Sequence, residues 1–191
     1  AGGIAACFLL PEIYTFLLSA SSSTTFPQSW TAYFSVEEML ARQLMYVPVH
    51  LGLEHYPNIF CGVGVFILIP LYIMDKEVKL SERVGKCAIL LIFLLSYNIN
   101  VFNYIWHGFH FPNSLPARQA FIYIFFILAM SYEAFYHLKK ISDKAFGGAV
   151  WAALIFVFIA SELFKDSGTY PFKTFYISGL FIILYAALLY I

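Results

Sequence analysis

"AFGGAVWAALIFVFIASELF", residues 145 to 164, runs for twenty positions with a single ionisable side chain, Glu162. A bilayer core about 30 Å thick is crossed by roughly 20 apolar residues in a helix, and in lipid a lone segment has no other way to satisfy its backbone groups. The stretch predicts a membrane-crossing helix, and similar runs recur on both sides of it. Together they place six spans, at residues 1–20, 58–74, 86–106, 117–138, 145–164 and 171–191. The expected fold class is all-α, a polytopic transmembrane helix bundle. No fixed-period repeat or composition break divides the chain, so residues 1–191 read as a single transmembrane domain.

Composition points the same way. The chain is 61% hydrophobic and only 12% charged, where soluble domains carry roughly 25% charged residues. Its formal net charge is zero, which argues against a nucleic-acid partner. Cys7, Cys61 and Cys87 lack CxxC spacing and read as small buried side chains. The chain starts at Ala1 inside one apolar run and stops at Ile191 inside another, which reads as an internal fragment of a longer membrane protein. No signal peptide with a charged n-region precedes the first run.

Between the first two spans lies a polar and aromatic segment. Ser35 followed by Glu38 is a capping-box signature, and Val36, Met39, Leu40, Leu44 and Val47 then share one helical face that Pro48 ends. This predicts an interfacial amphipathic helix over 36–47, resting at the membrane surface. Lysine and arginine concentrate on the cytoplasmic side of membrane proteins. Lys76, Lys79, Arg83 and Lys86 flank one connection, and Lys139, Lys140 and Lys144 another, so those two loops are expected inside. Residues 21–57, the 106–116 loop and the "KDSGTYPFK" loop then lie together on the outer face. Asp75, Glu77, Glu82 and Asp143, mixed with the lysines, read as solvated.

The outer loop "WHGFHFPNSLPAR", residues 106 to 118, interrupts the hydrocarbon with two histidines, an asparagine and an arginine. Below it Ser96, Asn100, Asn103 and His107 recur at helical spacing and form a polar stripe. Aimed at lipid the stripe would be costly, so it faces the interior, either as glue between helices or as the lining of a wet cavity. Gly108 and Pro112 stop that helix, and Asn113 or Ser114 with Pro116 starts the next. Arg118 then falls in its first turn, where a cation conflicts with the helix dipole unless an anion resolves the conflict. Pairing with a carboxylate of the chain, or reaching to headgroups, is the plain alternative. His107 and His110 could approach one metal, but the helix stop and the absence of a nearby third ligand speak against it. No metal and no cofactor is expected, and a divalent cation has no support. Glu12, Glu133 and Glu162 sit within apolar runs and are expected to face the interior.

Three stretches carry a resemblance: "LLPEIYTFLLSA", "YPNIFCGVGVFILIPLYI" and "LSYNINVFNYIWHGFHFPNSLPARQAFIYIFFILAMSYEAF". They resemble the bacterial YfhO family of multi-spanning membrane proteins, most specifically at His107, Gly108, Pro112, Asn113 and Arg118. "ARQAF" departs from a family pattern nearer to Tyr-Arg-Phe-Ser-Phe, keeping the arginine. The resemblance implies a GT-C type glycosyltransferase in the bacterial cytoplasmic membrane. Such an enzyme moves a sugar from a polyprenyl-phosphate donor, on the outer face, to an envelope polymer related to lipoteichoic acid. It implies Arg118 on the carrier phosphate, with His107, His110, Asn113 and Asn103 lining the donor site, and a catalytic carboxylate in an outer loop beyond this chain. A transporter or flippase for a lipid-linked sugar or another anionic lipid is the alternative, since a polar stripe also suits a translocation path.

Overall fold

The computed structural model describes residues 2–18, 25–52, 54–111, 115 and 117–190, and the side chains of all but residues 2–4 and 16 among them. The fold is all-helical. In chain order it contains α1 (Gly2–Leu18), α2 (Val36–Ala41), α3 (Val65–Met74), α4 (Leu80–Asn98), α5 (Asn100–Trp106), α6 (Ala120–Tyr136), a 3₁₀ turn (Leu138–Lys140), α7 (Asp143–Phe164) and α8 (Phe172–Tyr190). The only β feature among the described residues is an isolated antiparallel bridge between Ala32 and Ile99.

The last two helices match the sequence reading within a few residues. Ser142 caps α7 by accepting the Ala145 N–H at 3.3 Å, and Pro171 precedes α8, where a missing N–H costs nothing. Helix α7 buries only small or medium side chains, Ala149, Ala153, Val157 and Ala160, and α8 buries Thr174, Ser178 and Ile182 with one large ring, Phe175. Most of their large apolar groups turn outward, with Trp151 and Phe158 both 66% exposed. That is the reverse of a water-soluble bundle, and small buried faces let membrane helices approach closely. By length and composition α7 and α8 each suffice to cross a membrane; α3 and α6 are apolar but shorter. Helix α4 carries Glu82, Arg83 and Lys86 near its start. The six-span expectation is therefore met in full by two helices only.

Helix α3 is the centre of the bundle, packed against α6 and α7 and, less extensively, α4 and α8. Ile67, Leu71 and Tyr72 are completely buried. At ten residues it is about 15 Å long, shorter than the expected 58–74 span: residues 59–64 are not helical, Gly62 adopts φ 99°, and Asn58 binds elsewhere. The buried Arg42 guanidinium donates from Nε to Pro57 O (3.1 Å) and from Nη2 to Pro48 O (2.8 Å) and Asn58 Oδ1 (3.1 Å). The same pull ends α2 at Ala41 instead of Val47, and Tyr46 adopts φ 59°. Ser35 caps α2 as expected, accepting the Glu38 N–H at 3.1 Å, while the Glu38 carboxylate turns to the Tyr56 hydroxyl at 2.9 Å. The apolar face of this segment is divided: Met39 and Leu44 are buried while Val36 is 60% exposed, and α2 packs on α7, so the segment roofs the bundle.

The expected continuous helix over 86–106 is broken at Ile99, which is extended (φ −99°, ψ 124°) between α4 and α5. Residues 29–34 occupy the gap. Tyr33 N donates to Asn98 O (2.9 Å) and Asn100 N to Thr31 O (3.1 Å). The flanking side chains complete the clamp: Asn98 Oδ1 accepts from Tyr33 N and Phe34 N (both 3.1 Å), and Asn100 Oδ1 accepts from Thr31 N (3.0 Å) while its Nδ2 donates to Ser29 O (2.8 Å). An interruption of the helix ladder is tolerated because the strap takes up Asn98 O and Asn100 N, while Val101 N donates to Asn100 Oδ1 at 2.8 Å.

The two lysine-rich connections meet at one end, as expected. His137 Nδ1 lies 2.6 Å from Asp75 Oδ2, Lys140 pairs with Glu77, and Lys86 donates to Glu133 Oε2 at 2.7 Å. Asp75, expected to be solvated, is 3% exposed; it also accepts the Glu77 N–H at 2.9 Å and so ties the ends of α3 and α6 together. Glu133 is only half-buried, paired with Lys86, and Glu12 and Glu162 are exposed, the latter beside Lys165 at 3.1 Å. Cys61 and Cys87 are half-buried, and Cys7, expected to be buried, is exposed; none of the three forms a disulfide among the described residues.

Candidate functional site

At the opposite end, the strap, the 48–58 connection and the top of α5 converge. Leu115 N donates to Leu51 O (3.3 Å), Met45 N to Ser178 Oγ (3.0 Å), and Lys173 sits 5.0 Å above the Tyr46 ring. The three segments expected to lie together therefore do so. The polar stripe is inward-facing, with Ser96, Asn100 and Asn103 all buried. Its lower members are glue: Ser96 Oγ accepts from Gln119 Nε2 (3.0 Å) and Asn100 holds the strap.

Asn103 is different, because it organises rings rather than helices. Its Nδ2 donates to the Tyr33 hydroxyl (3.2 Å) and lies 3.4 Å from His55 Nδ1, and those two rings stack at 3.7 Å with an interplanar angle of 7°. Its backbone carbonyl receives His107 Nδ1 at 2.8 Å. One buried asparagine thus fixes two histidines, one by its side chain and one by its main chain. The His107 Nε2 is shielded from solvent and has no hydrogen-bond partner among the described residues. His110 follows with its ring 6.5 Å from that of His107, nearly perpendicular.

Burial is the main force that holds His107 and His55 below the ordinary histidine pKa. Like charge reinforces it, from His110 and Arg118 on His107, and from His107 on His55. Both imidazoles are therefore neutral at pH 7. The chain that covers them is strained. Phe109 (φ 64°), Leu115 (53°) and Ala117 (53°) adopt the left-handed conformation without being glycine, and Gly108 (φ 70°) adopts it freely. Such residues cost on the order of 1 kcal/mol or more each and gather at ligand sites.

Of the residues singled out from the sequence, Asn103, His107 and His110 come together, and Arg118 is close enough to act on His107. Asn113 lies outside the described residues, as do Pro112, Ser114 and Pro116. The expectation for Arg118 needs correction. Helix α6 begins at Ala120 with Gln119 at its cap, so Arg118 stands two residues ahead of the helix rather than in its first turn, and it is exposed. Gln119 turns inward to Ser96 and makes no cap hydrogen bond, which leaves the α6 N-terminus without a side-chain acceptor beside that arginine. Tyr33 and His55 were not foreseen. Each stands alone in an irregular segment, and only the fold brings them to Asn103.

A model of the bacterial membrane protein YfhO family matches residues 1–191, the whole chain. The chain belongs to this family. Comparison with curated proteins and with solved structures finds no match. YfhO membership agrees with the outward-facing apolar groups of α7 and α8, and it makes the buried polar cluster around Asn103 a feature of a membrane protein, where such groups carry function by default.

Proposed function

We propose that this YfhO protein is a glycosyltransferase of the bacterial cytoplasmic membrane. It moves a sugar from a polyprenyl-phosphate donor to an envelope acceptor related to lipoteichoic acid. The chain crosses the bilayer six times, with α4 and α5 together forming one crossing. The observation that carries the reading is the cluster of His55, Asn103, His107, His110 and Arg118 at the end of the bundle remote from Lys76, Lys79, Lys139, Lys140 and Lys144. Since basic loops stay in the cytoplasm, the cluster opens to the outside. Arg118 and the uncapped α6 N-terminus receive the carrier phosphate, which becomes the leaving group and gains charge as the sugar departs. His110 and Asn113 orient oxygens of the donor. Beneath the roof, an apolar groove of about 330 Å³ lined by Phe66, Ile69, Leu94 and Phe156, with Gln43 and Tyr123 at its polar end, suits the hydrocarbon of a lipid-linked substrate.

Transport of a lipid-linked sugar is less favoured. The polar stripe ends at Ser96, beside which the rings of Phe93, Tyr97 and Tyr123 interlock with centroids 6.0 to 6.5 Å apart, so aromatic rings close the stripe at that level among the described residues. The test is transfer of radiolabelled sugar from a polyprenyl-phosphate donor by the full-length protein in proteoliposomes. Arg118→Ala is expected to weaken donor binding and lower transfer at least tenfold. Undiminished transfer at equal expression would rule out Arg118 as the phosphate ligand.

A further inference from the structure

The hydrogen bonds of Asn103 determine which ring nitrogens carry protons. A backbone carbonyl only accepts, so His107 Nδ1, 2.8 Å from Asn103 O, holds the hydrogen and Nε2 of the neutral ring is a bare lone pair. An amide nitrogen only donates. His55 Nδ1, facing Asn103 Nδ2 at 3.4 Å, is therefore the acceptor, and His55 carries its hydrogen on Nε2. The two neighbouring imidazoles are opposite tautomers: His55 offers a donor, His107 an acceptor. A phosphate oxygen, which cannot donate, gains nothing from the His107 lone pair. A hydroxyl, which both donates and accepts, suits the pair.

We propose that His107 Nε2 is the base that receives the proton of the acceptor hydroxyl in sugar transfer, with His55 Nε2–H as a donor to the same hydroxyl oxygen. This rests on the glycosyltransferase reading and deepens it. As the acceptor oxygen bonds to the sugar C1, the C1–O bond to the carrier phosphate breaks and its electron pair leaves on the phosphate oxygen. The hydroxyl proton passes to His107 Nε2. A neutral acceptor and a singly charged phosphodiester thus give the glycoside, a doubly charged polyprenyl phosphate and a protonated His107. Three features fit a base. A carbonyl behind Nδ1 stabilises the imidazolium formed, as a fixed partner does for other catalytic histidines. Nε2 is shielded from water and has no partner among the described residues. Burial, with His110 and Arg118 nearby, keeps the ring neutral before the reaction. The family resemblance alone assigns this task to a carboxylate of another loop, so the two assignments make different predictions.

The experiment uses the full-length protein in proteoliposomes. His107→Ala is expected to bind the polyprenyl-phosphate donor within about twofold of the parent yet lose turnover by roughly 100-fold or more, the usual contribution of general base catalysis. Added imidazole should restore part of that turnover, which no purely structural role explains. The acid limb of the kcat profile should lie below the ordinary histidine pKa and vanish in the variant. His107→Ala or His107→Gln turning over at the parental rate would overturn the assignment. A second readout does not depend on turnover. In protein labelled with ¹⁵N-histidine, His107 should show hydrogen on Nδ1 and none on Nε2 at pH 7.5, and methyl glucoside, but not dimethyl phosphate, which has no O–H to donate, should shift its Nε2 resonance. Hydrogen on Nε2, or a shift with dimethyl phosphate alone, would overturn the proposal. If the parent protein transfers no sugar while the methyl glucoside shift is present, the glycosyltransferase reading fails and the hydroxyl site stands.

Discussion

Asn98 Oδ1 accepts the Phe34 N–H at 3.1 Å across 64 residues of sequence, and Phe34 is 9% exposed. A buried amide left without its acceptor costs about 1–3 kcal/mol. Asn98→Ala is therefore expected to destabilise the protein by about 2 kcal/mol and to speed hydrogen exchange at Phe34, with Asn98→Asp closer to the parent because it keeps an acceptor. Unchanged exchange at Phe34 would show that the strap does not depend on this contact.

The Arg42 fork reaches two carbonyls and the Asn58 side chain at once, a geometry lysine cannot reproduce. Arg42→Lys is expected to cost about 2 kcal/mol and Arg42→Ala more, since hydrogen bonds to charged groups are worth about 1.5–3 kcal/mol each. Thermal unfolding in detergent measures both. The loss should be accompanied by new protease cleavage between residues 46 and 58, the connection that the guanidinium holds.

Lys86 bridges α4 and α6 through Glu133 and also meets Glu82 at 2.7 Å. Its side chain is 21% exposed and that of Glu133 35%, intermediate between a surface pair and a buried one. A double-mutant cycle with Lys86→Met and Glu133→Gln is expected to give a coupling of about 1–2 kcal/mol. A coupling near zero would mean that the two helices are held by their apolar faces alone.

Acid should loosen the roofed end of the bundle. His55 and His107 are both held below the ordinary histidine pKa of 6.5, chiefly by burial. In the window between the folded and unfolded pKa values the unfolded chain binds more protons. Their contribution is therefore complete above about pH 6.5 and is lost as pH falls through the folded values. Unfolding midpoints measured from pH 7.5 to 5 should fall, and His55→Gln and His107→Gln should each flatten the slope. A slope unaffected by either substitution would assign the acid sensitivity to other groups.

How far the fold can be read from the sequence depends on whether its signals are local. Helices α7 and α8 are legible because an apolar run, a serine cap and a proline mark them within the segment itself. The break at Ile99 is not, because "NIN" contains neither glycine nor proline and is extended only when residues 29–34 lie alongside. The chain after α2 has the same character, since one guanidinium holds it by reaching across the 48–58 connection. In the site, the spacing of Asn103, His107 and His110 is helical and so visible. Tyr33 and His55 reach Asn103 from 70 and 48 residues away, a distance no periodicity bridges. The placement of Arg118 shifted by the three residues that separate the expected helix start at 117 from the real one at Ala120, which changed its helix-dipole argument but not its neighbourhood.

The strap on Asn98 and Asn100 also sets an order of events during synthesis. Its backbone amides emerge 64 to 69 residues before the asparagines that receive them, which at 5–20 residues per second is a wait of roughly 3 to 14 s. Through that interval the amides of Thr31, Tyr33 and Phe34 lack their acceptors, and Trp30 lacks the Phe102 ring that it meets edge-on. A nascent chain stalled before residue 98 would carry an untethered aromatic loop, the form most open to capture by a chaperone or a protease.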